Sequence, residues 1–313
     1  MAELPSRAQW TLAAARVLAE AGVDSPRLSA ELLLFHVCSI SRLDLTLSPD
    51  ILLSPGEHAR LSGLLRRRAE GEPAAYLIGS KEFFGRDFRV TPATLIPRPE
   101  TELIIETALN AFPEDHAIRF ADLGTGSGCI AVTLCAERPL WRGVMTDISA
   151  RALAVAERNA VSHAVRSRLQ PLRADFNHPL FLPGSLDLLV SNPPYVSREE
   201  YETLSPEVRD FEPVTALVPG FVDDDRNREA HRHAHHSVGI PNADGRQGLE
   251  HLLAVAAEAE KALRPGGILI LEHGWTQSTP LQLSLKSHIW ENMIAIKDLA
   301  GHQRLLFARR AAE

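Results

Sequence analysis

The sequence predicts an α/β fold in which a doubly wound parallel sheet is preceded by a small all-α domain and a β-hairpin linker. From about residue 117, short apolar runs alternate with helical segments, as a doubly wound sheet requires. The first 74 residues show helical patterns, and an aromatic, alternating segment around Gly85 follows them. A chain of 313 residues is long enough for two domains.

Composition restricts the classes of function. With 45% apolar and 23% charged residues, the chain can bury a large core. The formal net charge of −7 argues against a protein that depends on non-specific phosphate binding. The N-terminus lacks the layout of a secretory signal, and no apolar run approaches the roughly 20 residues that cross a bilayer. We therefore expect a cytoplasmic monomer that requires neither nucleic acid nor a membrane.

The three cysteines show no metal-binding or redox pattern. Cys38, Cys129 and Cys135 form no C-x-x-C pair, and the last two fall within one apolar helical segment. We expect them to be small buried side chains in a reducing compartment.

Residues 1–74 are predicted to form a helical domain for substrate recognition, because they contain no chemical motif. Ser25 before Pro26 predicts an N-cap, and Ser54 with Glu57 predicts a capping box. An apolar stripe on one helix comprises Leu28, Leu32, Leu33 and Phe35. The basic turn Arg66–Arg68 suits a helix terminus or, alternatively, a docking patch for RNA or an acidic protein face.

Residues 75–94 are predicted to be the hairpin linker, and residues 95–313 the third region, which carries the chemistry. This region opens with a loop in which Arg98 is flanked by prolines, followed by Glu100 at the start of a helix. Helix-start chemistry explains both side chains. A role in substrate binding is equally open, because an arginine between two prolines is preorganised.

A glycine-rich loop follows the first predicted strand of the sheet. It consists of Asp122, Leu123, Gly124, Thr125, Gly126, Ser127 and Gly128. Such a loop lets the backbone approach a cofactor closely and point its amides at it. A dinucleotide fingerprint counted from Gly124 needs a third glycine where Cys129 stands, which disfavours NAD and FAD.

Two further strand ends carry candidate cofactor-binding side chains. Asp147 ends the next strand at the spacing at which a carboxylate accepts both hydroxyls of a ribose, although it could also cap the following helix. Asp175 and Phe176 follow the third strand and suit the amino group and one face of an adenine ring. Both could equally be turn and core residues.

The fourth strand ends in the motif Asn192-Pro193-Pro194-Tyr195. Proline keeps its carbonyl, so the side-chain oxygen of Asn192 and the carbonyl of Pro193 can form a rigid pair of acceptors for an NH2 group. Two such acceptors favour pyramidalisation of a planar amide or amine and aim its lone pair at an electrophile. Tyr195 can stack on the planar group. We therefore predict Asn192, Pro193 and Tyr195 as the catalytic residues; a plain strand-ending turn is the alternative.

Four motifs stand in the order of one known family. They are Leu95-Ile96-Pro97-Arg98-Pro99-Glu100-Thr101-Glu102, Asp122 to Gly128, Asn192 to Tyr195, and Leu271-Glu272-His273-Gly274-Trp275. In them the chain resembles the S-adenosylmethionine-dependent glutamine methyltransferases that modify peptide chain release factors, the HemK/PrmC family. The resemblance implies a Rossmann-like seven-stranded methyltransferase domain and, as acceptor, the glutamine of the Gly-Gly-Gln loop in class I release factors.

The resemblance also implies where both ligands bind. The methyl donor is expected at Gly124–Gly128, Asp147, Phe176 and Asn192, and the glutamine at Asn192–Tyr195. Three alternatives remain: a ribosomal-protein glutamine methyltransferase, an adenine amino-methyltransferase of DNA or RNA, and a catalytically silent donor-binding module. The acidic balance and the short chain after Tyr195 argue against the adenine enzyme.

The chain departs from the family pattern at two places. An apparent insertion over residues 221–244 contains four histidines, and its polar composition predicts a mobile surface loop rather than a metal site. Near the C-terminus, Gln303 stands where the family tends to have an acid, in a strand pair that we expect to complete the edge of the sheet. His273 resembles a candidate base, but amide methylation needs proton loss only after methyl transfer, so we do not assign it a catalytic role.

Overall fold

The computed structural model describes residues 4–220, 248–286 and 288–312, which divide into two compact units. Unit 1 comprises the described residues up to Ser80 together with Ser205–Phe211. Unit 2 comprises Lys81–Leu204 and the described residues from Glu212 onward. The domain boundaries at residues 74 and 94 stay predictions. The histidine-rich insertion expected at residues 221–244 lies outside the described residues.

Unit 1 is helical. Its helices are α1 Arg7–Glu20, α2 Pro26–Cys38, α3 Arg42–Leu47, α4 Pro55–Ala69, α5 Ala74–Ile78 and α10 Pro206–Phe211. The core side chains come from several of these helices and include Trp10, Leu18, Leu33, Leu34 and Leu61. The helical pattern in the first part of the sequence is therefore confirmed, and apolar side chains from sequence-distant helices form one core.

The capping expectations for α2 and α4 have different outcomes. Ser54 accepts from the amide of Glu57, and the Glu57 carboxylate accepts from the amide of Ser54, so the capping box of α4 is confirmed. Ser25 lies in the left-handed region at φ 51° and makes no side-chain cap, so its predicted role is wrong. Pro26 does occupy the first helical position.

The predicted apolar stripe of α2 is only partly right. Leu33 is buried, but Leu28 is 46% exposed, and the buried side of the helix also includes Ala30, Leu34 and Val37. The predicted stripe and the buried face of α2 differ at the start of the helix, because an almost continuous apolar run does not define a helical face.

The basic turn of α4 pairs within its own unit. The side chain of Arg68 is 3% exposed, and its guanidinium donates to Glu207 at 2.6 Å and to the carbonyl of Glu72 at 3.0 Å. Arg67 pairs with Glu72. Arg68 is therefore a buried structural cation that ties α4 to α10, rather than part of an exposed docking patch.

Unit 2 contains a hairpin and a large sheet with helices. The hairpin strands are β1 Ser80–Phe83 and β2 Arg86–Arg89, and the sheet strands are β3 Arg119–Leu123, β4 Arg142–Asp147, β5 Leu169–Arg173, β6 Leu186–Ser191, β7 Leu263–Glu272, β8 Trp290–Lys297 and β9 Gln303–Arg310. The helices are α6 Glu102–Ala111, α7 Cys129–Glu137, α8 Ala150–Ser162, α9 Arg198–Thr203, α11 Glu250–Ala262 and α12 Ser278–Ser284. The hairpin turns at Phe84 and Gly85, inside the aromatic segment around Gly85 that predicted it.

Among the described residues, the sheet has seven strands in the order β5-β4-β3-β6-β7-β9-β8. The strands β3 to β7 pair in parallel, and β9 lies antiparallel to both β7 and β8. The strand order changes direction between β3 and β6, which creates a topological switch point at their carboxyl ends. The glycine loop follows β3 and the Asn192 motif follows β6, so the fold brings these two motifs together.

Both faces of the sheet are covered, which explains why its strands are continuous apolar runs. One buried cluster includes Phe120 and Ile270, and the other includes Leu189 and Leu271. Cys129 and Cys135 of α7 are buried in the first cluster, as expected, whereas Cys38 is only half-buried. In the part of the chain that the structure describes, no helix is long and apolar enough to span a membrane.

Candidate active site at the switch point

The glycine loop adopts a backbone that glycine alone adopts without strain. Gly124, Gly126 and Gly128 all have positive φ, at 72°, 55° and 82°. A Cβ on Gly128 would lie 3.0 Å from the Cβ of Ala156, so this glycine also permits close packing of α8. The amide of Thr125 donates to the carbonyl of Thr146 at 2.8 Å, which anchors the loop to β4. The loop is therefore fixed at the switch point, and its glycines leave the backbone uncovered by side chains, as a cofactor-binding loop requires.

Asp122 is a buried carboxylate beneath this loop. Its Oδ2 accepts from Thr125 Oγ1 at 2.6 Å and from the amide of Ala131 at 3.3 Å. Among the described residues, its Oδ1 has no hydrogen-bond partner. Burial raises the pKa of Asp122 to about 7. A buried carboxylate with an unused oxygen favours a cationic ligand nearby, because such a ligand would compensate its lost hydration.

Asp147 is bound to the glycine loop rather than used as a helix cap. Its Oδ2 accepts from the amide of Gly126 at 3.0 Å, and its Oδ1 accepts from the amide of Ser149 at 2.9 Å. Ser149 itself caps α8, with its hydroxyl accepting from Ala152. Burial raises the pKa of Asp147. The ribose-binding role stays a prediction, but the competing role as N-cap belongs to Ser149.

Phe176 lies against the glycine loop. A Cβ built on Gly124 would lie 3.9 Å from its ring, and the ring also meets His251 edge to face, with centroids 5.1 Å apart. Asp175 accepts from the amide of Asn177 at 2.9 Å, so one of its oxygens is engaged in a turn. Asn177 and His251 both line a cavity of about 240 Å³. An aromatic ring beside the glycine loop is suited to stack on a planar base.

Asn192 leaves the sheet between the glycine loop and the end of β7. The strand register pairs Ser191 with Leu123 on one side and with Leu271 on the other. The Nδ2 of Asn192 donates to Thr101 Oγ1 at 3.1 Å. Because this contact holds the nitrogen of the carboxamide, its oxygen points away from Thr101.

A small cavity lies beside Asn192. It has a volume of about 60 Å³ and is lined by Leu95, Arg98, Asn192, Pro193, Tyr195, Val196, Ala216 and Leu217. Of the residues predicted to bind substrate, Pro194 and Glu100 lie outside this lining. The structure thus brings Arg98 to the cavity from a loop that is about 90 residues distant in the sequence. A space of this size accommodates a few heavy atoms, as the end of an amide side chain has.

Glu212 fixes the Arg98 loop and was given no role from the sequence. Its side chain is 1% exposed; Oε1 accepts from Arg98 Nη2 at 2.5 Å and Oε2 accepts from the amide of Ile96 at 3.0 Å. The only local signal is an acid before Pro213, and nothing in that pattern indicates a partner 114 residues earlier. A charge-assisted contact of this kind gives the loop a defined shape.

Tyr195 is held at both ends. Its hydroxyl donates to Glu272 Oε1 at 3.3 Å, and its carbonyl accepts from Gln277 Nε2 at 2.9 Å. Burial raises the pKa of Tyr195 far above its ordinary value, so the phenol is neutral. Glu272 is 2% exposed. Sequence reasoning assigned no role to Thr101 or Glu272.

His273 is neutral in its buried position. Its Nδ1 donates to the carbonyl of Gly274 at 2.8 Å, and burial lowers the pKa of the imidazole. In the described ranges, 4–220, 248–286 and 288–312, no cluster of three or more His, Cys, Asp or Glu side chains could hold a metal ion.

These features define a class of enzyme. A loop with alternate glycines at the switch point, an acid that ends the neighbouring strand, and an Asn-Pro-Pro-Tyr turn after the strand beyond the switch are the arrangement of an S-adenosylmethionine-dependent methyltransferase. This chain lacks the third glycine that a dinucleotide-binding protein has in this loop, which is consistent with this class. The chain is an enzyme of this class, with S-adenosylmethionine as its methyl donor, and the fold and cofactor expected from the resemblance are confirmed.

Comparison with known proteins identifies the family. The model of the PrmC N-terminal domain matches residues 9–79, and that of the methyltransferase small domain matches residues 101–206. A solved structure of a methyltransferase from Pyrococcus furiosus, 15% identical, covers 83% of this chain and 100% of that chain with a TM-score of 0.48.

Two curated relatives share most of their length with the chain. The release factor glutamine methyltransferase of Nitratidesulfovibrio vulgaris is 50% identical over 94% of this chain and 91% of its own length. The one of Cereibacter sphaeroides is 39% identical over 94% of this chain and 95% of its own length. The chain belongs to the release factor glutamine methyltransferase family.

Proposed function

We propose that this enzyme transfers a methyl group from S-adenosylmethionine to the side-chain amide nitrogen of the glutamine in the Gly-Gly-Gln motif of class I peptide chain release factors. The observation that carries the proposal is the position of Asn192, which Thr101 holds at 3.1 Å beside a small cavity at the switch point. The names of the relatives support the choice of substrate.

The residues around the glycine loop fit the methyl donor. When bound, S-adenosylmethionine supplies an electrophilic methyl group on a positively charged sulfur. The amides of residues 124–128 would face its methionine end, Asp147 its ribose hydroxyls, and Phe176 its adenine. Asp122 would stabilise the positive charge of the donor, since its buried Oδ1 has no partner among the described residues. Asp175 would accept from the adenine amino group with the oxygen that does not serve its turn.

Asn192 and Pro193 would bind the amide nitrogen of the glutamine. The Asn192 Oδ1 and the Pro193 carbonyl each accept one of its two hydrogens, which aims the nitrogen lone pair at the methyl carbon. The new nitrogen–carbon bond uses this lone pair, and the electron pair of the broken carbon–sulfur bond stays on sulfur. The two acceptors stabilise positive charge that develops on nitrogen, and one N–H proton then leaves to water. Fixed orientation of this kind can contribute up to about 7–11 kcal/mol.

The other predicted substrate residues surround this pair. Tyr195 would stack on the plane of the amide, and Pro194 would keep the turn rigid. Arg98 would bind backbone or carbonyl groups of the release factor loop, and Glu100 would lie near this contact. We further propose that the N-terminal helices, residues 1–74, recognise the release factor, and that the enzyme works as a cytoplasmic monomer without contact to nucleic acid or a membrane.

Mass spectrometry can test the substrate directly. The full-length enzyme is incubated with S-adenosylmethionine and a class I release factor, and the methyl group is mapped by peptide fragmentation. The proposal expects one methyl on the glutamine of the Gly-Gly-Gln motif and none on a release factor in which this glutamine is alanine. Methylation of adenine in DNA or RNA, or of a ribosomal protein alone, would refute it.

A further inference from the structure

Asn159 is a buried side chain of α8 that joins the glycine loop to the β-hairpin. Its exposed fraction is 1%, and its Nδ2 donates to the carbonyl of Ser127 at 2.8 Å and to the carbonyl of Arg89 at 3.0 Å. Its Oδ1 accepts from the amide of Arg89 at 2.9 Å. Both hydrogens of the carboxamide are engaged and its oxygen has a donor, so its orientation is fully determined. A buried amide with these contacts holds its partners in one arrangement.

The contact with Ser127 fixes one peptide unit of the glycine loop. The Ser127 carbonyl and the Gly128 amide belong to the same peptide plane. The amide end donates to the carbonyl of Thr125 at 2.8 Å, and the carbonyl end accepts from Asn159. Gly128 has a φ of 82° and no side chain to oppose rotation of this plane, so the hydrogen bonds at its two ends keep it in place. Loss of the Asn159 donor would leave a carbonyl of a buried residue unpaired, which favours such a rotation.

The first half of the loop is anchored by β4. The amide of Thr125 donates to the carbonyl of Thr146 at 2.8 Å, and the amide of Gly126 donates to Asp147 Oδ2 at 3.0 Å. Asn159 adds an anchor at the other end of the loop, from a helix instead of a strand. The two halves of the loop are therefore fixed by different elements, and α8 is responsible for the second half.

The hairpin strand β2 holds Asn159 in turn. Arg89 contacts it with main-chain groups, so this pairing does not depend on the arginine side chain. Beside it, His163, directly after α8, donates from Nε2 to the carbonyl of Asp87 at 3.0 Å, and its ring lies against that of Phe88 with centroids 4.8 Å apart. The strand is thus docked on α8 by several contacts, and Asn159 extends this docking to the glycine loop.

We propose that Asn159 is a positioning residue for the methyl donor, and that the hairpin is part of the donor-binding framework rather than only a linker. By holding the Ser127 carbonyl, Asn159 keeps the loop in its binding arrangement before S-adenosylmethionine arrives. When only a fraction of the molecules has this arrangement, the apparent Kd rises by the inverse of that fraction. Because coupling is reciprocal, the donor must in turn stabilise the contact between Asn159 and Arg89. This inference rests on the proposed place of the donor at residues 124–128.

Calorimetry with Asn159→Leu tests the effect on the donor. Leucine has the branched shape of asparagine but no hydrogen-bonding group. The Kd for S-adenosylmethionine should rise at least about 10-fold, while the number of donor molecules bound per protein stays near one. A variant that is merely less well folded would bind fewer donor molecules at the wild-type Kd. An unchanged Kd, with or without fewer bound molecules, would overturn the proposal.

Two further variants separate the contact with Ser127 from the docking of the hairpin. Asn159→Asp keeps an acceptor for the Arg89 amide but loses the NH2 group that serves both carbonyls, so it should also raise the Kd at about pH 8. His163→Ala is the matched control, since it removes two contacts with β2 and keeps Asn159. Its Kd should stay within about 2-fold of the wild type. A wild-type Kd in Asn159→Asp, or an equal rise in His163→Ala, would contradict the route through Ser127.

Amide hydrogen exchange of the wild type tests the reciprocal effect and needs no variant. Saturating S-adenosylmethionine should slow exchange of the Arg89 amide, which donates to Asn159, by at least about 10-fold. The amide of Phe84 is the internal control, because it lies at the turn of the same hairpin and donates to Glu102 Oε1 at 2.8 Å. Its exchange should slow by less than about 3-fold. Equal slowing of both amides, or no change at Arg89, would overturn the coupling.

Neither the calorimetry nor the exchange experiment uses a release factor, so this inference and the proposed function fail separately. An unchanged Kd in Asn159→Leu refutes the role of Asn159, whatever the methyl acceptor is. An enzyme that shows the expected changes in Kd and exchange but leaves release factors unmethylated would refute the proposed function instead.

Discussion

Replacing Glu212 by glutamine removes the charge that holds the Arg98 loop while it keeps the size of the side chain. In the native structure, one carboxylate oxygen accepts from Arg98 Nη2 at 2.5 Å and the other from the amide of Ile96 at 3.0 Å. A glutamine can still accept from Ile96, but its NH2 group then faces the guanidinium, and donor meets donor. We therefore expect the Arg98 side chain to leave its position while the loop backbone stays largely in place.

The exposures of the two partners set the size of the effect. Breaking a fully buried ion pair by removing one charge costs about 3–5 kcal/mol. The Glu212 side chain is 1% exposed, but that of Arg98 is 33% exposed, so water recovers part of the loss. We expect a destabilisation of about 1–3 kcal/mol and a decrease of kcat/KM for the release factor of roughly 10-fold or more.

Three measurements on purified Glu212→Gln check this. Denaturant unfolding gives the loss of stability, steady-state kinetics gives kcat/KM, and calorimetry gives the Kd for S-adenosylmethionine, which should be unchanged. Glu157→Gln is the matched control: Glu157 pairs with Arg166 at 2.7 Å, but both side chains are about 40% exposed, so its loss should stay below about 1 kcal/mol. An Arg98→Met variant and the double variant complete a cycle. Unchanged kcat/KM, or equal losses in both glutamine variants, would refute this account of the loop.

Two further predictions concern the cofactor site. Asp147→Ala removes the acceptor that binds Gly126, and the Kd for S-adenosylmethionine should rise at least about 10-fold in calorimetry; an unchanged Kd would exclude Asp147 from the site. Burial raises the pKa of Asp122 from 3.8 to about 7, so the fold favours its protonated form, and wild-type stability should decrease as pH rises from about 4 to about 7. Asp122→Asn lacks this decrease and should be more stable above about pH 7 by up to about 4 kcal/mol in denaturant unfolding, yet bind the cationic donor more weakly. Parallel pH profiles of the two proteins would contradict this.

The sequence predicted those parts of the site that depend on neighbours along the chain. The glycine loop, Asp147 and Asn192 each follow directly on an apolar strand, and parallel strands align their carboxyl ends at one edge. The order of the motifs along the chain was therefore enough to predict that they lie at a common edge of the sheet. The register confirms this, because Leu123 and Ser191 are paired.

The sequence could not predict the residues that hold these groups in place. Asn192 bonds to Thr101 across 91 positions, Arg98 to Glu212 across 114, and Tyr195 to Glu272 across 77. Each partner is an ordinary polar residue in its own segment, and only the packing of the sheet and its loops decides the contact. Local patterns also failed for Ser25, whose left-handed backbone does not follow from a Ser-Pro pair.

The contacts of Asn192 explain how the rigid turn both supplies a carboxamide and fixes the orientation of that carboxamide. The two prolines fix the backbone of the motif, but they leave the side chain of Asn192 free to rotate. The hydrogen bond to Thr101 restricts that rotation. An acceptor that is oriented before the substrate arrives costs no reorganisation during the reaction.

The central claim is that Asn192 acts on the glutamine amide, and single-turnover methyl transfer by Asn192→Ala tests it most directly. The enzyme is saturated with S-adenosylmethionine and mixed with release factor, and methylated glutamine is measured over time. Asn110→Ala, at an exposed position of α6, serves as control and should react like the wild type. We predict a rate at least about 100-fold lower for Asn192→Ala, with the Kd for S-adenosylmethionine raised by less than about 10-fold. A rate within about 2-fold of the wild type would contradict the proposed role of Asn192.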